Sequence, residues 1–448
     1  MTDSDGQREA KFLEGLEGLK ASHLHLGIFD ADGVFRHKRV DAAKARKLAA
    51  KGYPFCDVLY KWDSAELLFA QGVFADRPAA LDLDSLRAYP FAEGEAVCIA
   101  DFEPPFGELS ARNALARQLA KAQDLGFTVN SAFEFEFTLL QETPDSVRAK
   151  DFTKLEPFAK ANRTYSLLSA SLYDELLQGL EATMSSLGIG LDSLHSELGP
   201  GCFEAPLKYA AGLRGADDAA LFKNFAKAYF LRQGLMAAFL SKLSPDLPGQ
   251  SGHLHLSLVD RDGRPVFHDA AAPDGLSQTA RHFVGGLLTL LPDALALCSH
   301  TINAYKRLVP GTWAPVYAAW GVQNRTAAVR VINDAPESTR VEFRVPSADC
   351  NPHAAMTLAL GAGLWGIEQA IEPPPPREDD CYATEPEPGM AFPRSLAEAA
   401  QRLETSDLAR EVFGAAFVAG WAEGRHHEAE AYARHVGAWE LGRYLEVV

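Results

Sequence analysis

The chain of 448 residues is poor in positive charge: 43 Lys and Arg face 60 Asp and Glu, a net charge of −17. A general nucleic-acid binder needs a basic surface, so that class is excluded, while a local arginine cluster still permits an anionic substrate. No apolar run is long enough to span a bilayer, so no membrane partner is expected. Met1 to Lys20 is polar and acidic and lacks the apolar core of a signal peptide, which makes a cytoplasmic location the expectation. Cysteine is scarce, and Cys56, Cys98, Cys202, Cys298, Cys350 and Cys381 contain no C-x-x-C pair. Structural zinc is therefore not expected, and free thiols in a reducing compartment are. There is no G-x-x-x-x-G-K-S/T loop and no G-x-G-x-x-G, so a bound nucleotide would rest on neither a P-loop nor a Rossmann turn. No internal repeat is visible.

What remains is an ordinary soluble composition, 47% apolar and 23% charged, on a chain too long for one compact core. Leu24 to Phe29 alternates, Asp32-Gly33 supplies a turn, and Val34 resumes the pattern, which predicts a hairpin in a small β-rich module. Glu95 to Phe102 predicts another strand, and Glu103-Pro104-Pro105-Phe106-Gly107 breaks the pattern. A boundary there divides the chain into residues 15–105 and 106–448. Beyond it, Ser110 can cap a helix that Gly126 ends, and Thr128 to Leu140 predicts a strand. Helices are expected from about Tyr173 to Leu187, over a long stretch from Ala216 to Leu243, and from Ala354 to Ile371. Pro373 to Pro376 predicts a surface loop, and a charged helical tail begins at Leu396.

Three short segments carry the chemistry. Phe133 to Phe137, His253 to Ser257 and Arg340 to Arg344 each alternate apolar and polar residues. Side chains two apart on a strand share a face, roughly 7 Å apart. Glu134 and Glu136 therefore project together, as do His253, His255 and Ser257, and Arg340, Glu342 and Arg344. Such faces are costly to bury unless they bind something charged. Glu197 and Glu204 bracket a Gly-Pro-Gly turn that can return both carboxylates to one point, although such glutamates are usually solvated. The whole set, carboxylate-rich with one imidazole, suits Mg²⁺ or Mn²⁺ better than Zn²⁺. Arg307, Arg325, Arg330, Arg340 and Arg344 fall between Lys306 and Pro346, a cluster suited to phosphate or carboxylate. Metal ions plus an anion point to phosphoryl transfer.

Taken in order, these segments resemble the glutamine synthetase family over nearly the whole chain. The motifs are Phe133 to Phe137, Glu197 to Glu204, Ser251 to Leu258, Asn303 to Gly311, Asn324-Arg325-Thr326, Arg340 to Pro346 and Asn351-Pro352. The resemblance implies an α+β fold. A small β-grasp domain would precede a catalytic domain whose antiparallel sheet forms an open active-site barrel. It implies a homo-oligomer, a double ring that is commonly a dodecamer, with active sites between subunits. It assigns one divalent metal to Glu136, Glu197 and Glu204, and a second to Glu134, His253 and Glu342. His255, Ser257 and Arg340 would face ATP, with Arg325 also at its phosphates. Arg325 and Arg330 would stabilise the transferring phosphoryl group. Arg307, Arg344 and Gly249 would hold L-glutamate. The implied reaction passes through γ-glutamyl phosphate to an amide.

Two departures bear on the nucleophile. Family members that use ammonia carry a glutamate where Gly311-Thr312-Trp313-Ala314-Pro315-Val316 has Trp313. The ammonium loop Asp-Gly-Ser-Ser is replaced by Asp57-Val58-Leu59-Tyr60, followed by Lys61-Trp62-Asp63. Pro248 also stands where an asparagine is usual. Trp313, Tyr60 and Trp62 would then form an apolar or cation–π pocket, and the expectation is a γ-glutamyl–amine ligase in which Asp57 is kept as a catalytic carboxylate. The alternatives are a glutamine synthetase in which Asp57 or Asp63 deprotonates ammonium, and a non-catalytic structural homologue. Asp57, Asp63 and Glu66 favour a diamine or polyamine, while the tryptophans favour a monoamine.

Overall fold

The computed structural model describes residues 3–160 and 163–448. A helix over Asp3–Gly18 opens the chain and seats Phe12 and Leu16 in a first core. Strands β1 (His23–Phe29) and β2 (Phe35–Asp41) form the expected hairpin. Asp30 closes its turn by accepting hydrogen bonds from the amides of Asp32 and Val34, and Gly33 takes φ +76°. After β3 (Tyr53–Cys56), β4 (Asp76–Leu81) and β5 (Arg87–Ala88), strand β6 (Glu95–Phe102) returns through the middle. The order is β2-β1-β6-β4-β3 with β5 on β6, and β1 and β6 run parallel. Leu24, Leu26, Ile28, Phe55, Tyr60 and Phe102 fill the core of this module.

The second sheet holds nine strands. They are β7 (Thr128–Leu140), β8 (His195–Ser196), β9 (Cys202–Pro206), β10 (Ala210–Ala211), β11 (Met236–Ala238), β12 (Gly252–Val259), β13 (Trp320–Val322), β14 (Val329–Ile332) and β15 (Arg340–Phe343). The order is β13-β14-β15-β12-β7-β9-β8, with β10 and β11 also on β7. Only the β13–β14 pair is parallel, and the sheet curls into a half-barrel.

Its two faces differ as the alternation requires. Phe133, Phe135 and Phe137 are fully buried and pack with Phe203, Phe222 and Phe239. Each such side chain contributes about 1.5–3 kcal/mol by leaving water. Helices Ala111–Asp124, Leu213–Arg232, Gln278–Ala294 and Pro352–Glu368 build the rest of this core. The last two approach closely because Gly286 faces Gly366: a Cβ at Gly286 would lie 2.2 Å from the Ala362 carbonyl oxygen.

The long helix expected from Ala216 to Leu243 is two elements. Gly234, at φ +74°, ends it, and Met236–Ala238 leaves to pair with β7. Periodicity cannot tell an apolar edge strand from one more turn of buried helix. Among the described residues, no helix is long and apolar enough to cross a membrane.

Candidate active site

Register brings the polar residues into one cluster. Across β7–β12, Glu134 is paired with His253; across β12–β15, His255 is paired with Glu342. Arg330 is paired with Glu342 across β14–β15, and Glu136 with Glu204 across β7–β9. His195 of β8 pairs in turn with Glu204. Six strands thus place carboxylates, imidazoles and a guanidinium side by side on one face of the sheet.

The contacts show how these charges are held. His255 Nε2 lies 3.0 Å from Glu134 Oε2, and Arg340 Nε donates to His255 Nδ1 at 3.1 Å. Arg330 Nη1 donates to Glu342 at 2.8 Å, and Arg344 Nη1 donates to the other oxygen of the same carboxylate. The Ser251 amide donates to Glu136 at 2.5 Å. His195 lies 3.4 Å from Glu204 and 3.9 Å from Glu197. Burial acts against the Glu342 carboxylate, yet the Arg344 guanidinium leads the groups that hold its pKa down to about 2. Burial, and then the hydrogen bond it shares with Glu134, pushes Glu204 up to about 11. Glu134 is held low against its own burial, first by His255, in the direction opposite to Glu204.

A divalent cation fits this donor set. Both ring nitrogens of His253 and Glu197 Oε2 are buried without a hydrogen-bond partner. Burial and then Arg344 hold His253 well below its usual pKa, which leaves a neutral imidazole able to donate a lone pair. Glu134, Glu136, Glu197 and Glu204 crowd one region, where an added cation relieves their repulsion. Among the described residues no three His, Cys, Asp or Glu side chains already surround one point. The contacts give the reason, since Glu342 is turned to two arginines and Glu134 to His255.

The arginines separate into two kinds. Arg307 is 3% exposed, its guanidinium donating to the carbonyls of Val345 and Arg344. Arg344 is 4% exposed and also donates to the Arg325 carbonyl. Arg325 is exposed. Gly249 lies against Arg307, since a Cβ there would meet Arg307 Cγ at 2.6 Å. Ser257 shares the polar side of β12 with His253 and His255.

The nucleophile loop differs from expectation. Tyr60 is 6% exposed in the N-terminal core, and its hydroxyl donates to the Phe29 carbonyl. Trp62 lies 5.0 Å beneath the Arg36 guanidinium. Tyr60 is thus part of the small module's own core, and Trp62 packs against that core. Asp57 is buried and pairs with Arg77 at 2.6 Å, Asp63 with His427 at 3.1 Å and Glu66 with Arg36 at 2.5 Å. Trp313 alone of the three aromatics stays available, 60% exposed at φ +58°. Its loop is pinned by the Tyr382 hydroxyl, which donates to the Ala314 carbonyl at 2.9 Å.

Two residues at the cluster were not singled out from the sequence. His195 stands two before Glu197, the same alternation that marked the other strands. Tyr165, 69% exposed at φ +56°, meets His195 edge-on with ring centroids 4.9 Å apart. It sits on a loop, where no periodicity flags it.

A profile of the glutamine synthetase catalytic domain matches residues 108–444. The chain belongs to the glutamine synthetase family. Over its whole length it is 34% identical to the whole of the glutamate–isopropylamine ligase of a Pseudomonas species. It is 36% identical to type-1 glutamine synthetase 2 of Dictyostelium discoideum, over 98% of this chain and 87% of that one. It is 34% identical to the gamma-glutamylethanolamide synthetase of Streptomyces coelicolor, over 83% of this chain and 80% of that one. An ADP complex of GmaS superposes with a TM-score of 0.84 at 28% identity, covering both chains completely. The fold is thus shared with GmaS, and two of the relatives are named for isopropylamine and ethanolamide.

Proposed function

We propose that the protein is an ATP-dependent ligase that joins the γ-carboxylate of L-glutamate to a small organic monoamine. The observation that carries this reading is Trp313, which occupies the loop position where ammonia-using relatives place a glutamate and remains exposed on a loop tied to Arg307 by the Thr312 hydroxyl. An indole offers an apolar or cation–π wall to an alkylamine and no proton acceptor for ammonium. Pairing of Asp63 with His427 and of Glu66 with Arg36 occupies two of the carboxylates that would favour a polyamine. Relatives named for isopropylamine and ethanolamine support the same class.

In this reading the N-terminal sheet is a β-grasp domain ending near residue 105, and the catalytic domain follows it. Glu136, Glu197 and Glu204 would hold one divalent metal, and Glu134, His253 and Glu342 a second. The ions would be Mg²⁺ or Mn²⁺ and, when bound, supply positive charge to the triphosphate. His255, Ser257 and Arg340 line the ATP side. Arg307, Arg344 and Gly249 orient glutamate so that its γ-carboxylate attacks the terminal phosphorus, releasing ADP and leaving γ-glutamyl phosphate. Exposed Arg325, with Arg330, neutralises the charge that spreads over the transferring oxygens. The amine nitrogen then attacks the acyl carbon, inorganic phosphate leaves, and the ammonium proton passes to a carboxylate. Asp57 of an adjacent subunit is the candidate acceptor in a ring assembly, whose dodecameric form belongs to this proposal.

A second reading, ammonia as nucleophile, is favoured by the likeness to type-1 glutamine synthetase 2. The deciding experiment measures phosphate release with ATP, Mg²⁺ and L-glutamate against ammonium, methylamine, isopropylamine, ethanolamine and putrescine, with product masses. Turnover with monoamines and little with ammonium is expected. Turnover chiefly with ammonium would establish the second reading, and silence with every amine would point to a non-catalytic homologue.

A further inference from the structure

On the side of the second sheet away from the acidic cluster lies a cavity of about 220 Å³. It opens between the Asp32–Gly33 turn, the helix Leu213–Arg232 and the helix Ala415–Ala433. Its walls are charged in an unbalanced way. Lys223 and Lys227, one helical turn apart, line one side. Lys223 donates to the Cys350 carbonyl at 2.6 Å, and burial pulls its pKa down to about 8. Lys227 has no hydrogen bond or ion pair among the described residues, and its ammonium lies 5.7 Å from the Phe239 ring.

Acids line the same space. One oxygen of Asp349 accepts from Ser241 and Thr301, each at 2.7 Å, while Oδ1 is buried with no partner. Glu428 also lines the cavity and has no ion pair among the described residues. Asp32, by contrast, is satisfied by Arg425 at 3.3 Å and His300 at 3.4 Å. Two ammonium groups and two carboxylates thus face one partly open space with no ion pair between them among the described residues, although Asp349 acts on both lysines through space. An anion would satisfy only the lysines, and a cation only the acids. A molecule that carries both charges a few atoms apart satisfies all four, and the volume limits it to few non-hydrogen atoms.

We propose that this cavity binds a small α-amino acid, carboxylate to Lys223 and Lys227 and ammonium to Asp349 and Glu428. The site borders the glutamate segment without belonging to it. Thr301 Oγ1 accepts from the Ala304 amide at the start of the turn that leads to Arg307, and the Ser241 carbonyl accepts from the Gln250 amide beside Gly249.

The test is calorimetric titration of the full-length protein with L-alanine and, separately, propionate. It is repeated on Lys227→Met, Glu428→Gln and Arg307→Lys, and it stands whether or not the ligase reading does. The two cavity variants remove side chains with no hydrogen bond or ion pair among the described residues, and thermal melting checks that each is folded. L-Alanine is expected to bind wild type and Arg307→Lys alike, and to bind Lys227→Met and Glu428→Gln at least tenfold more weakly. Propionate is expected to bind at least tenfold more weakly than L-alanine. Binding lost in Arg307→Lys but kept in the cavity variants would place the amino acid in the active site and overturn the proposal. Equal binding of propionate, or no binding of L-alanine, would overturn it as well.

Discussion

At the scale of single residues, the nucleophile question rests on one side chain. Replacing Trp313 with Glu restores a proton acceptor and removes the indole wall. The preference for monoamine over ammonium is expected to fall at least tenfold, about 1.4 kcal/mol in relative transition-state stabilisation. Competition assays with product masses measure it, and an unchanged preference would mean that nucleophile choice is made elsewhere. Tyr165 supplies a second test. It touches His195 rather than a reacting group directly, and its left-handed backbone holds the ring there. Tyr165→Ala is expected to lower kcat/KM for the amine roughly tenfold, and Tyr165→Phe to keep most of it, if the ring face is what matters. The residue scale also shows where sequence reading stops. His195-Ser196-Glu197 follows the alternation that revealed Glu134 and Glu136, so it was legible. Tyr165 lies on a loop, and Tyr60 and Trp62 lie on another. Loop aromatics carry no phase that says whether they face a ligand or their own core.

At the scale of elements, alternation defines one face of each strand, and register decides which faces coincide. The three alternating segments were legible because a period of two separates phenylalanines from carboxylates whatever the partner strand. That His253 lies opposite Glu134, and Glu342 opposite Arg330, depends on pairing between strands over a hundred residues apart or brought together by β15, which no local pattern encodes. The same limit explains Met236–Ala238, whose apolar residues continue the helix until β7 captures them. The acidic face makes a stability prediction. On the proposed function Mg²⁺ would bind the folded cluster and not the unfolded chain, and is expected to raise the melting temperature. An excess of 100 times Kd adds about 2.7 kcal/mol. Chelation should reverse the rise, and Glu136→Gln or His253→Ala should abolish most of it. A Mg²⁺-independent melting temperature would remove metal from the site. Behind the sheet, Gly286→Val would drive a branched side chain into the Ala362 carbonyl, 2.2 Å from the Cβ position. A loss of roughly 3 kcal/mol or more is expected in urea unfolding, because two helix backbones must separate.

At the scale of the whole molecule, the two cores are joined through buried charge. Arg112 donates to Asp217 through Nε at 2.7 Å and Nη2 at 2.8 Å, and also to Asp82 of the N-terminal module. His353 lies 2.8 Å from Asp217, and Arg87 of the first module pairs with Asp218 at 2.5 Å. Burial disfavours the Asp217 carboxylate, but Arg112 and then His353 hold it well below the usual range. His353 is itself held below its usual pKa by burial. A carboxylate with a depressed folded pKa stabilises fully above its unfolded value, here 3.8, and loses that contribution as pH falls past it. A histidine kept neutral by burial loses stability in the same direction, beginning as pH falls below 6.5. Acid should therefore loosen the junction from both partners. Asp217→Asn leaves the Arg112 charge largely unmatched and is expected to cost roughly 3–5 kcal/mol near neutral pH. Below about pH 4 the difference from wild type should begin to shrink, since the unfolded carboxylate takes up a proton there while the folded one stays ionised. Urea midpoints measured at pH 7.5, 5.5 and 3.5 test this, and a gap that does not narrow in acid would show that Asp217 acts by shape and not by charge. The prediction matters for function because the loops after β3 and the cluster on the second sheet belong to different modules. Any nucleophile carboxylate supplied from the first module depends on this junction to keep its distance.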